Sequence, residues 1–164
     1  MAQISYADSA REIDVSVNIA LERFSKDVKG ADEFVKIAKG LLVLPNVIKA
    51  GFIIGGEYGE GALRVNGETV TYYSIVAGSF GFQIGVEKKD IIIAFMTEEA
   101  LKQFRTSSGW EAGVDGNIAF VDVGGGKRID TTTIKDPIVA FVFDVKGLMA
   151  DISLKGSKFT KLDK

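Results

Sequence analysis

The chain has neither cysteine nor histidine among its 164 residues. Without cysteine there are no disulfides, thiolate nucleophiles, Fe–S clusters or cysteine-held zinc. Without histidine the commonest general base and the commonest transition-metal ligand are missing together. Two prolines stand against 19 glycines, a balance that suits tight turns between short elements rather than a linker. No run of about 18 apolar residues occurs, the length that a membrane-spanning helix needs. The opening stretch "MAQISYADSAREID" lacks a basic segment leading into an apolar core, so no secretory signal is read in it. Net charge is −2, which gives no general attraction to nucleic acid.

What the chain does contain is 46% hydrophobic and 26% charged residues, the proportions of a globular domain. A chain of this size buries roughly 70% of its unfolded surface and needs no covalent staples. Residues 1–164 are therefore read as one domain, helical over 1–40 and mainly β over 41–164.

Over the helical segment Ile13, Val17, Ala20, Leu21, Phe24 and Val28 recur at helical spacing and form one apolar stripe. Ser9-Ala10-Arg11-Glu12 has the pattern of a capping box, and Gly30 is a natural stop. A short second helix is expected after it. Asp32 and Glu33 fall in its first turn, Lys36 and Lys39 near its end and Gly40 beyond it, an order that suits the helix dipole. The polar face of the first helix balances Arg11, Arg23, Lys26 and Lys29 against Asp8, Glu12, Asp14, Glu22 and Asp27. Docking of its stripe onto a sheet is the expected arrangement.

From residue 41 the period becomes that of strands. "LLVLP" and "NVIKAGFIIGG" are apolar and β-branched. In "ALRVNGETVTYYSIV" the pair Asn66-Gly67 separates two strand-like runs, a strong hairpin signal. "SFGFQIGVE" alternates Phe80, Phe82, Ile84 and Val86 with Gly81, Gln83, Gly85 and Glu87. Lys88-Lys89-Asp90 is read as a turn into "IIIAFM". "TEEALKQFR" is a short helix with Thr97 as its cap. "WEAGVDGNIAFVDV", "PIVAFVFDV" and "LMADISL" are further strands, the last two joined at Lys146-Gly147. No alternation of strand and helix is visible. The fold class expected is α+β: a strongly curved antiparallel sheet or β-barrel of about eight or nine strands, with N-terminal helices packed on it.

The motifs that could carry chemistry are weak. Ala77-Gly78-Ser79-Phe80-Gly81 comes close to a nucleophile elbow, but that device needs a base and a following helix. The chain has no histidine, and a strand pattern follows Ser79, so Ser79 is read as a turn residue entering that strand. A Ser–Lys pair is an arrangement that the composition leaves open. "GGGKR" at 124–128 lacks the spacing and the helix of a phosphate loop, and "GGEYGEG" does not fit a dinucleotide fingerprint. Asp115 and Asp122 have no calcium-loop pattern around them. A paired-carboxylate site is a matter of spatial arrangement and stays open. No enzyme activity and no cofactor are expected.

The order of motifs resembles the SYLF, or Ysc84-like, family. It is carried by "AKGLLVLPNVIKAGFIIGGEYGEGALRV" (38–65), "YYSIVAGSFGFQIGVEKKDIIIAFM" (72–96), "ALKQF", "AGVDGNIAFV" and "KGLMADISLKGSKF". Tyr72-Tyr73-Ser74 replaces the tryptophan usual before the serine in eukaryotic members, and Asp151 stands where glycine is usual. The resemblance implies a non-catalytic module that binds anionic phospholipid at a membrane surface. It also implies that the helix bearing Arg23, Lys26 and Lys29 contributes to that contact. Lys36, Lys39, Lys88 and Lys89 complete the candidate lipid-binding set. Similarity to bacterial single-domain members implies a periplasmic lipoprotein of the cell envelope, its signal and lipidated cysteine not included here. The alternative is a protein-interaction module, for an actin-type or envelope partner, without lipid affinity of its own.

Overall fold

The computed structural model describes residues 9–50, 54–80, 86–121, 123, 128–146 and 154–164. Helix α1 spans Ala10–Asp27 and α2 spans Ala31–Ile37. Strands β1 (Gly40–Ala50), β2 (Ile54–Val65), β3 (Glu68–Phe80) and β4 (Val86–Phe95) follow. Then come α3 (Glu98–Thr106), two short strands β5 (Gly109–Glu111) and β6 (Ala119–Val121), β7 (Ile138–Lys146) and β8 (Lys158–Leu162). The fold is α+β, as expected.

Local chemistry explains the helices. Ser9 and Glu12 form the capping box of α1, each satisfying the other's backbone N–H. Gly30 separates α1 from α2 with φ +89°, and a Cβ there would lie 2.1 Å from the Ile129 carbonyl oxygen, so only glycine fits. The Thr97 hydroxyl accepts from the Ala100 N–H at 3.1 Å and starts α3.

The eight strands form one curled sheet in the order β5-β8-β3-β2-β1-β4-β7-β6. Neighbours are antiparallel except β6 and β7, which run parallel. The β2–β3 hairpin turns at Asn66 and Gly67, with φ of 53° and 80°; positive φ at both centres is the two-residue hairpin geometry. The segment read as a strand through 110–123 is instead split, among the described residues, into β5 and β6, with a turn over 113–115 between them.

Both faces of the sheet are buried along much of its length. On the inner face Leu42, Leu44, Val47, Leu63, Ile75, Ile91 and Ile93 pack with Leu101 and Phe104 of α3 and with Trp110 and Phe159. Trp110 is closed to solvent, and its ring centroid lies 5.5 Å from Phe104 and 6.0 Å from Phe159. On the outer face Leu41, Val43, Ala62, Ile92, Ala94, Val139 and Phe141 pack beneath α1 and α2. The apolar stripe of α1 docks here, with Phe24 5.2 Å from both Phe141 and Phe143. Among the described residues no helix is long and apolar enough to cross a membrane.

Several readings fall outside the described residues: the middle of "SFGFQIGVE" (81–85), Asp122, "GGGK" (124–127), and the turn at Gly147 with most of "LMADISL" (147–153). Ser79 itself lies within β3, opposite Gly55 of β2, rather than at a turn.

Candidate docking face

The helices leave an area of the outer face uncovered. There the strand registers line up one residue from each of seven strands. Lys146 pairs with Lys88, Lys88 with Ile48, Ile48 with Tyr58, Tyr58 with Val76, Val76 with Lys158, and Lys158 with Glu111. Residues directly opposite each other on neighbouring strands point to the same face, so this is one continuous row of side chains. Its centre is apolar and open: Ile48 is 45% exposed, Tyr58 48% and Val76 48%. Lysines stand on both sides of that centre, all three exposed, with Glu111 the one acid in the row. The Tyr58 hydroxyl donates to Glu60 Oε2 at 2.6 Å, which holds the ring across the face.

Two irregularities set this row. Extra residues in β1 and in β7 shift the register between Leu44 and Val47 and between Asp90 and Lys88. At these bulges Asn46 (φ 55°) and Asp144 (φ 52°) adopt left-handed backbone. Between them lies an ionic cluster. Arg23 Nη1 donates to Asp90 Oδ2 at 2.9 Å and to Asp144 Oδ2 at 2.7 Å. Asp90 Oδ1 accepts from the Asn46 N–H at 2.9 Å.

The basic residues expected to form one lipid contact are dispersed. Lys88 is exposed on the row. Lys89 lies within β4 rather than on a turn, faces the opposite side and is buried in an ion pair with Glu57. A buried, paired ammonium cannot reach a surface, so Lys89 leaves the contact set. Arg23 is engaged by two carboxylates. It shares a shallow groove of about 250 Å³ with Ile19, Glu22, Lys26 and Asp27, whose acids offset Lys26 locally. Lys36 lines a different recess, beside Asn66 and Gly67 at the β2–β3 hairpin. Lys29 and Lys39 are exposed on the connections flanking α2.

Ile48, Tyr58, Val76, Lys146 and Lys158 are absent from the sequence-based set. They are far apart in the chain and only the registers bring them together. The one local signal is Val47-Ile48, two successive apolar residues that a strand must send to opposite faces. Among the described residues no group of three or more Asp or Glu side chains gathers as metal ligands would.

The fold and this face define an α+β module whose described residues present an exposed surface on the sheet. Over residues 76–164 the chain matches the family model Ysc84, described as "Las17-binding protein actin regulator", and it belongs to that family. It is 31% identical over 125 residues to "SH3 domain-containing YSC84-like protein 1" of Xenopus laevis, a match covering 73% of this chain and 37% of that protein. The human protein of the same name is also 31% identical, over 127 residues. "LAS seventeen-binding protein 3" of Saccharomyces cerevisiae is 28% identical over 142 residues, covering 79% of this chain and 31% of the yeast protein. The chain thus spans about a third of the length of these curated relatives. The family description names binding and regulation, which places the chain among interaction modules.

Proposed function

We propose that this domain docks on an anionic phospholipid surface, and that it does so through the Lys146–Lys88–Ile48–Tyr58–Val76–Lys158 row. The carrying observation is an exposed apolar centre flanked by lysines on one uncovered sheet face. Apolar side chains and an amphipathic tyrosine suit the interfacial zone of a bilayer, while lysines on either side suit its anionic head groups. Each lysine near such a surface contributes about 1 kcal/mol. The envelope setting expected from the resemblance belongs to this proposal, and membrane fractionation of the native host checks it.

Sedimentation with phosphatidylserine-containing vesicles, against phosphatidylcholine alone, tests the reading. Binding is expected to the first and to weaken as salt rises, because the screening length falls from about 10 Å at 0.1 M to about 3 Å at 1 M. Lys88→Gln with Lys146→Gln should weaken binding roughly thirtyfold, the equivalent of about 2 kcal/mol. Absence of binding at low salt overturns it.

The family description favours a second reading, in which the same row receives a protein partner of the actin-regulating kind. Replacing Tyr58 with Ser would then abolish capture of that partner while vesicle sedimentation stays at background.

A further inference from the structure

We infer that Arg23 is a positioning residue for the docking row: reaching down from α1, it pins the two bulges that turn Ile48 and Lys146 outward. The inference rests on the membrane-docking reading, but in it Arg23 acts through β1 and β7 and touches no lipid.

The registers show what the bulges do. In β1, Leu44 faces Ile91 and Val47 faces Lys89, so Pro45 and Asn46 together oppose Asp90. In β7, Phe143 faces Asp90 and Lys146 faces Lys88, so Asp144 and Val145 together oppose Lys89. Side chains alternate between faces, so losing one residue of offset exchanges the faces of everything beyond it. Without the β1 bulge, Ile48 would lie opposite Glu87 on the inner side and leave the centre of the row. Without the β7 bulge, Val145 rather than Lys146 would stand beside Lys88.

Neither bulge is favoured by its own backbone. Asn46 and Asp144 hold φ of 55° and 52°, a region that non-glycine residues enter at a cost. A shared anchor holds both. Asp90 is only 2% exposed; one of its oxygens takes the Asn46 N–H and the other takes Arg23. The same guanidinium nitrogen reaches Asp144. Arg23 compensates the buried Asp90 charge, which would otherwise be strongly unfavourable. It also ties the left-handed residue of each bulge to one helix. Its Nη1 is spent on the two carboxylates, and its effect on docking is the geometry of the row.

The test compares the wild type, Arg23→Gln, and Arg23→Gln carrying Asn46→Gly, Asp144→Gly and Asp90→Asn. Glycine takes left-handed backbone without the side-chain penalty, and Asp90→Asn removes the charge that Arg23 would leave bare. Two readouts are followed: sedimentation with phosphatidylserine-containing vesicles, and hydrogen exchange at the Val47, Ile48 and Lys146 amides without lipid. Arg23→Gln is expected to weaken sedimentation about fivefold or more, the worth of one outward lysine at an anionic surface, and to speed exchange at these amides. The glycine background should restore both. If Arg23→Gln does not fold, Arg23→Gln with Asp90→Asn, which removes the anchor without leaving a bare buried charge, carries the same comparison. Binding lost, exchange unchanged and no rescue would mean that Arg23 meets the head groups itself, overturning the inference; unchanged binding and exchange overturns it too. If the wild type ignores vesicles, the docking reading fails, and exchange still decides whether Arg23 holds the bulges.

Discussion

Lys89 and Glu57 carry opposite charges inside the sheet, with side chains only 6% and 7% exposed. Removing one partner strands the other, which costs about 3–5 kcal/mol, whereas replacing both with apolar groups of similar size is often neutral or better. Glu57→Ala should therefore lower the urea midpoint sharply, while Glu57→Leu with Lys89→Met should recover most of it; equal losses in the two variants would mean that the pair contributes more than compensation. Tyr73 sets a different problem. Its hydroxyl is buried without a partner, and burial pushes its pKa up to about 12 against a smaller pull downward from the Arg105 charge. The unfolded tyrosine titrates near 10. The native state thus keeps its proton longer, so this contribution is complete below about pH 10 and is lost as pH rises from about 10 towards 12. Tyr73→Phe should flatten that alkaline loss and stabilise by about 1 kcal/mol near neutrality, since it deletes an unsatisfied polar group. A destabilised Tyr73→Phe protein would show that the hydroxyl is satisfied in solution.

Two glycines separate what an element needs from its backbone and what it needs from its neighbours. Gly67, at φ +80° in the β2–β3 turn, has nothing within 4 Å of a would-be Cβ, so Gly67→Ala should cost only the backbone penalty, about 1–2 kcal/mol. Gly61 has ordinary φ, but its Cβ would lie 1.9 Å from the Val43 carbonyl oxygen in β1. Gly61→Ala must therefore push β1 and β2 apart and should cost more, about 3 kcal/mol or above. Thermal melts of the two variants give the order directly. The elements with local signals were legible in the sequence: the Ser9 cap, the Asn66-Gly67 hairpin and the Thr97-capped helix. The β1 bulge was not. "LLVLPNVIKA" is apolar at successive positions because Leu41 and Val43 lie under the helices while Leu42 and Leu44 lie in the inner core, which erases the alternation that would reveal a slip. Lys88-Lys89-Asp90 reads as a turn for a similar reason. Three charges in a row look exposed until Glu57 and Arg23, distant in the chain, are brought to two of them.

At the scale of the molecule, one sheet supplies a wall to both cores, so the two layers should fail together. Far-ultraviolet circular dichroism, dominated by all elements, and tryptophan emission should give coincident urea transitions. An earlier loss of helical signal would make the outer layer a separate unit. The docking face belongs to this scale as well, since it joins side chains from seven strands, and composition carries no trace of such a row. The architecture was legible only as a class: α+β, helices first, sheet after. The single tryptophan gives the layered sheet a built-in asymmetry of observation. Trp110 sits wholly in the inner layer, its indole N–H donating to Gln103 Oε1 at 3.1 Å. Its emission is a gauge of one side of the wall and blind to the other. A ligand that lifts α1 from the sheet should leave the spectrum still, and a colour change on binding would place the event beside α3.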